Sequence, residues 1–189
     1  MILPILAYGD PILKKKAEEI GKSYPNLKEL IENMFETMYA APGVGLAAPQ
    51  IGLSIRLITI DATGYSDEEN PQLDGFKRAF INAKIIEEEG EEWLFNEGCL
   101  SFPTLREDIL RKPKIHIQYY DENFEYHDEW FDGILARVIQ HEYDHTEGIV
   151  FIDRLSSLKK QLIKGKLNDI MTGNVEVIYK MKFTKKKKK

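Results

Sequence analysis

Two periods alternate along this 189-residue chain, and between them they locate most of its elements. In "SYPNLKELIENMFETMYAAPG", Leu27, Leu30, Ile31, Met34 and Met38 recur every three or four residues. That spacing predicts an amphipathic helix, capped by Ser23 and stopped at Pro42 and Gly43. The same period returns from about 132 to 147, with Gly148 as the C-cap, and again from about 157 to 171. "IRLITID" reads as a strand. "FINAKIIEEEGEEWLF" predicts a hairpin turning near Gly90, and "KIHIQYYDENFEYHDEW" a second one turning near 121–123. After Gly173 and Asn174, "VEVIYKMKF" alternates like a closing strand. The polar residues 62–75 read as an exposed loop, and "NEGCLSFPTLRED" as a loop carrying the chain's single cysteine.

Strands therefore stand at both ends and in the middle, helices lie between them, and no βαβ unit repeats. The expected fold is α+β, a single domain with antiparallel or mixed sheets around a central helix. That domain is expected to span residues 1–184, with the lysine run 185–189 a disordered tail. Net charge is -5, and the five terminal lysines contribute +5 of it, so the body carries -10. An acidic body excludes a broad face for DNA. No apolar run is long enough to span a membrane. "MILPILAYGDPILKKK" lacks the basic start of a signal peptide and is interrupted by Pro4, Gly9 and Pro11, so the expectation is a cytoplasmic protein. A single cysteine allows no internal disulfide and fits a reducing compartment.

Candidate chemistry concentrates in "QHEYDHTEG". On a helix, positions i and i+4 lie one turn apart on one face, so His141 and His145 can present both imidazoles to one point. Glu142 is rotated about 100° from His141. It is poorly placed to share a metal with both histidines and well placed to reach a water there, the position of a general base. Two histidines on a half-buried helix can also be plain hydrogen-bonding residues. A metal needs a third ligand. No histidine follows His145, and beyond Glu147 the only glutamate is Glu176, so a peptidase-type downstream ligand is lacking. Upstream, Cys99 in "EGCLSFP" offers a thiolate; with two imidazoles it leaves one tetrahedral position for water. The plainer alternative for a lone cysteine is a small buried hydrophobe.

Taken together, "GVGLAAPQIG", "EGCLSFP" and "QHEYDHTEG" resemble, in order and spacing, the three signature motifs of the peptide deformylases. The likeness runs from about Leu3 to Met171 and includes "YGDPIL" and "LSSLKKQLIKGK". Thr146 and Phe102 depart from the leucine and the smaller aliphatic residue usual at their places; neither is a ligand position. The resemblance implies removal of the formyl group from the N-terminal formyl-methionine of new polypeptides. It implies Cys99, His141 and His145 as metal ligands, and Glu142 as the residue that activates water. It also implies Gln50 and the backbone N–H of Leu100 as donors to the oxyanion. Val44 and Gly45 would lie along the substrate backbone, with Gly98 and Arg106 also at the peptide. Phe95, Ile134 and Val138 would form the methionine pocket, and Glu97 with Arg111 a supporting ion pair.

Fe(II) is the metal the family implies, while the donor set also suits Zn(II), Ni(II) or Co(II). The implied partner is the nascent formylated chain, with a ribosome contact left open and neither DNA nor membrane expected. Two other functions compete with this one. A metallopeptidase lacks its downstream ligand here. A catalytically silent peptide binder is disfavoured by the intact set of Gln50, Cys99, His141, Glu142 and His145.

Overall fold

A computed structural model describes residues 1–184; the lysine run 185–189 and its expected disorder lie outside the described residues. Its largest element is an antiparallel sheet of β2 (Gly45–Ala47), β3 (Leu57–Asp61), β4 (Lys77–Glu89), β7 (Lys114–Tyr120) and β8 (Tyr126–Asp132), in the order β2-β3-β4-β7-β8. Between β4 and β7 the chain forms a separate hairpin, β5 (Trp93–Cys99) with β6 (Phe102–Arg111). β1 (Ile5–Leu6) and β9 (Met181–Lys182) pair in parallel, joining the two ends of the domain. The helices are α1 (Leu27–Ala40), α2 (Gly133–Thr146), α3 (Ser157–Leu162) and α4 (Lys164–Thr172).

Alternation along the sheet decides which helix covers which face. Ile58, Ile60 and Phe80 point to one side and pack with Leu135, Ala136, Val138 and Ile139 of α2. Leu57, Ala79 and Ile81 point to the other and pack with Ile31, Met34, Phe35 and Met38 of α1. A third cluster joins Phe102, Leu105 and Ile109 of β6 to Phe151, Leu155, Ile163, Leu167 and Ile170. α2 thus lies between the large sheet and the β5–β6 hairpin. Every residue from Leu135 to Thr146 except Tyr143 is buried. The α+β class and the central helix agree with the sequence expectation.

Several local expectations are corrected. α1 begins at Leu27, not near Ser23, because Asn26 adopts a left-handed conformation (φ 53°) that cannot continue a helix backwards. The segments on either side of Gly90 do not form a hairpin. The second half of β4 pairs with β7 (Lys84 opposite Gln118), and β5 leaves for its own sheet. The cysteine segment is not a loop: Asn96, Glu97 and Gly98 pair with Asp108, Glu107 and Arg106, and only Leu100 and Ser101 make the turn. The stretch 62–75 is not wholly exposed, since Ala62 and Leu73 are buried in the α2-side core. The helix expected over 157–171 breaks at Ile163 (φ -91°, ψ 0°). Only Met181 and Lys182 of the expected closing strand are paired. The 121–123 hairpin, the α2 span and Gly148 at its end (φ 73°) agree with expectation. Among the described residues no helix is long and apolar enough to cross a membrane.

Candidate metal centre and active-site cleft

α2 enters the site because its polar residues face inward over its last two turns. His141, Glu142 and His145 are 8%, 5% and 1% exposed. A buried histidine pair needs partners; β5 supplies Glu97 to His141 and Cys99 to His145, and His145 Nδ1 has none among the described residues. The Cys99 sulfur lies 3.3 Å from His145 Nε2, and one donor atom each from Cys99, His141 and His145 falls within a sphere of contacts no longer than 4.8 Å. Donors about 2.0–2.3 Å from a shared tetrahedral centre stand roughly 3.3–3.7 Å apart, which the Cys99–His145 pair matches, and a thiolate with two imidazoles is a donor set for a divalent ion.

Glu97, deep on β5, orients the first imidazole. Its Oε2 lies 2.9 Å from His141 Nδ1, which leaves Nε2 free to turn towards the sulfur side. Arg111 holds the same carboxylate from Nε (2.7 Å) and Nη2 (3.0 Å), and Arg137 donates to it from Nη1 (3.0 Å). Arg111 also donates to Asp144 (2.7 Å), which accepts twice more from Arg154. Burial by itself would raise the Glu97 pKa; the hydrogen bonds from His141 and Arg111 outweigh it and hold the carboxyl well below the usual range. Burial would lower His141, yet its contacts with Cys99 and Glu97 raise it well above the ordinary histidine value. His145 goes the other way, pushed far down by burial and by repulsion from His141 and Arg111. A neutral imidazole with a free lone pair is the form that binds a metal.

Glu142 has the converse character. Burial, the largest influence, pushes its carboxyl up to about 7, and Oε2 has no hydrogen-bond partner among the described residues. An orphaned buried carboxylate oxygen beside three metal-type donors is a place for water. Gln50, 1% exposed, is anchored by its own backbone neighbourhood: Oε1 accepts from Ala47 N (2.8 Å), which aims Nε2 at Ser101 Oγ (3.3 Å) and Cys99 Sγ (3.5 Å).

Above this floor opens a cavity of about 390 Å³. Val44, Gly45, Phe95, Gly98, Leu100, Arg106 and Val138 all line it, with Cys99, His141 and Glu142 at its base. Ile134 does not. It faces a separate cavity beside Phe76 and Trp130, because it lies four residues before Val138 and one turn further from the metal-type donors. Phe102, one of the two departures from the family pattern, is fully buried between the rings of Tyr8 (4.9 Å) and Phe151 (5.1 Å). The other, Thr146, satisfies its hydroxyl on Tyr143 O (2.8 Å). His116 and His127 stack on Trp130 and Tyr119 away from the cleft.

Sequence reasoning missed Arg137, Asp144 and Tyr179. An arginine four residues before His141 on an apolar helix face, and an aspartate inside the histidine motif, were available as signals of a buried ion network. Tyr179 had none, since it lies beyond the recognisable motifs. It lines the cleft, and its hydroxyl donates to Leu100 O (2.8 Å). Burial pushes that hydroxyl up to about 12, so it remains a donor.

An open cleft whose floor offers three convergent metal-type donors and one unpaired acid is suited to adding water across a polar bond. Fold and site define a metal-dependent hydrolase. Residues 2–161 match the family described as polypeptide deformylase. The chain is 59% identical to a peptide deformylase of Flavobacterium johnsoniae and 58% identical to one of Christiangramia forsetii, in each case over 100% of this chain and 99% of the relative. It superposes on the crystal structure of a peptide deformylase from Legionella pneumophila with a TM-score of 0.78 at 38% identity, covering 89% of this chain and 95% of that one. The chain belongs to the peptide deformylase family. It is an enzyme that removes the N-terminal formyl group from newly made polypeptides.

Proposed function

We propose that one ion held by Cys99, His141 and His145 serves this reaction, with Glu142 as the proton carrier. The observation that carries the reading is the unpaired Glu142 Oε2, buried beside three convergent donor atoms. When bound, the metal supplies Lewis-acid chemistry, polarising the formyl carbonyl and making water acidic enough to attack near neutral pH. Glu142 takes the proton from the attacking water and later gives it to the departing amine nitrogen. A carboxyl raised to about 7 can hold and release a proton in the working range. The formyl C–N bond breaks, and formate and a free N-terminal amine leave.

The Gln50 side-chain amide and the Leu100 N–H stabilise charge developing on the formyl oxygen. Val44 and Gly45, at the edge of β2, pair with the substrate backbone. Gly98 keeps the opposite wall low, and Arg106, folded over it and held by Asn96 Oδ1 (2.8 Å) and O (2.6 Å), stands beside the peptide path. Phe95 and Val138 hold the methionine side chain; Ile134 is left out of this pocket. Fe(II) is the proposed working ion, and residues 1–184 act as one catalytic domain in the cytoplasm. The substrate is met as a nascent chain at the ribosome, with neither DNA nor membrane as a ligand.

The test is Glu142→Ala. It removes the proton carrier and leaves the ligands, so metal content by elemental analysis should stay near one per chain while turnover falls by several orders of magnitude. Loss of the metal, or survival of most of the activity, would contradict the assignment.

A further inference from the structure

The C-terminal segment takes part in the site. After α4 the chain turns at Gly173 (φ 73°), where a Cβ would stand 3.2 Å from the Phe183 ring, and runs back across the molecule. It is pinned to the N-terminal segment by Ile5 N to Lys180 O and Ala7 N to Lys182 O, both 2.9 Å. Tyr179 lies just before this pinned stretch, packs against the α1-side core and reaches the cleft.

There its hydroxyl donates to Leu100 O, while Tyr8 N donates to Ser101 O (2.9 Å). The two-residue turn that follows Cys99 is therefore held at both of its carbonyls. One hold comes from each end of the chain, and the β1–β9 pair ties the two ends together. Fixing the Leu100 carbonyl limits rotation of the residue whose N–H faces the reacting oxygen in the reading above. On the far side, the Leu100 side chain is wedged against Gly43, where an added Cβ would come within 2.7 Å of Leu100 Cδ1.

We propose that Tyr179 is a positioning residue for deformylation: its hydrogen bond to Leu100 O sets the orientation of the turn that stabilises the oxyanion. The proposal rests on the oxyanion role given to Leu100 and Gln50. Tyr179 makes no bond to a metal-type donor, so its effect should be on kcat rather than on metal retention.

The test is Tyr179→Phe, which keeps the ring in the cleft wall and removes only the hydroxyl, measured beside Gln50→Ala in the full-length metal-loaded enzyme. The expected result is a fall in kcat of about threefold to tenfold, the size of one lost hydrogen bond, with KM and metal content unchanged and Tm lowered by no more than about 2–4 °C. Unchanged kcat in Tyr179→Phe, with a large loss in Gln50→Ala, would overturn the role of Tyr179 and leave the oxyanion reading standing. Unchanged kcat in both would overturn the two together. A loss of kcat that tracks loss of metal or a larger fall in Tm would also overturn it, by making Tyr179 a general structural residue.

Discussion

Gly45 lies flat against the carboxylate of Glu142: a Cβ on Gly45 would stand 2.5 Å from Oε1 and 2.7 Å from Cγ. The glycine of β2 and the acid of α2 therefore share one packing site, so the strand proposed to meet substrate also sets the position of the proposed proton carrier. The contact falls on a buried carboxylate, and β2 and the α2 residues around it, Tyr143 apart, are buried as well.

Gly45→Ala is accordingly expected to push Glu142 aside. Overpacking a rigid site costs about 1–3 kcal/mol, and here the displaced group is the proposed proton carrier. We expect kcat/KM to fall by at least about tenfold, with one metal per chain retained. Steady-state kinetics with elemental analysis checks this; an alanine variant with wild-type kinetics would mean that Glu142 has room to spare.

Cys99→Ala removes one of three donors. The remaining histidines cannot complete a tetrahedral set, so the variant should lose its metal on dialysis and lose activity with it. Full occupancy measured by elemental analysis would reduce Cys99 to a plain packing residue.

Glu97→Gln deprives Arg111 and Arg137 of their shared carboxylate and His141 of the acceptor at Nδ1. Breaking a buried ion pair on one side costs about 3–5 kcal/mol, because the partner charges remain buried. Denaturant unfolding should show a loss of this order together with weaker metal retention. A variant of unchanged stability would show that Asp144 suffices for Arg111, and the carbonyls of Ile109 and Trp93 for Arg137.

The parts of the site that the chain announces are those carried by local geometry. His141 and His145 share a helix face whatever surrounds them, and Gly148 marks the end of that helix. The parts it conceals depend on pairing at a distance. Gly98 and Pro103 made the cysteine segment read as a loop, although cross-strand pairing from Trp93 opposite Arg111 to Gly98 opposite Arg106 makes it a hairpin. The two halves of "FINAKIIEEEGEEWLF" look like partners by proximity, yet β4 gains more by pairing with β7, which is also buried on the core face. The resemblance places Ile134 with Val138 in the methionine pocket, and one turn of rise carries it into the neighbouring cavity. Tyr179 is brought to the cleft only by the closure of β9 onto β1.

Iron loading offers a further check. An Fe(II) centre with a thiolate ligand should lose activity on exposure to peroxide, whereas nickel-loaded protein should keep it. Equal sensitivity of both forms would place the damage on the Cys99 thiol itself.

The most direct test of the whole account is formate release, followed beside mass spectrometry of the products, for formyl-Met, acetyl-Met and internally blocked peptides. A formyl carbon carries only hydrogen and suits the proposed site beside Gly45 and Gln50, whereas an acetyl methyl is expected to overpack the point of attack, at about 1–3 kcal/mol. The account predicts one formate per free amine from formyl-Met peptides, little reaction of acetyl-Met peptides and intact internal bonds. Internal cleavage without formate, persisting through repurification, would contradict it.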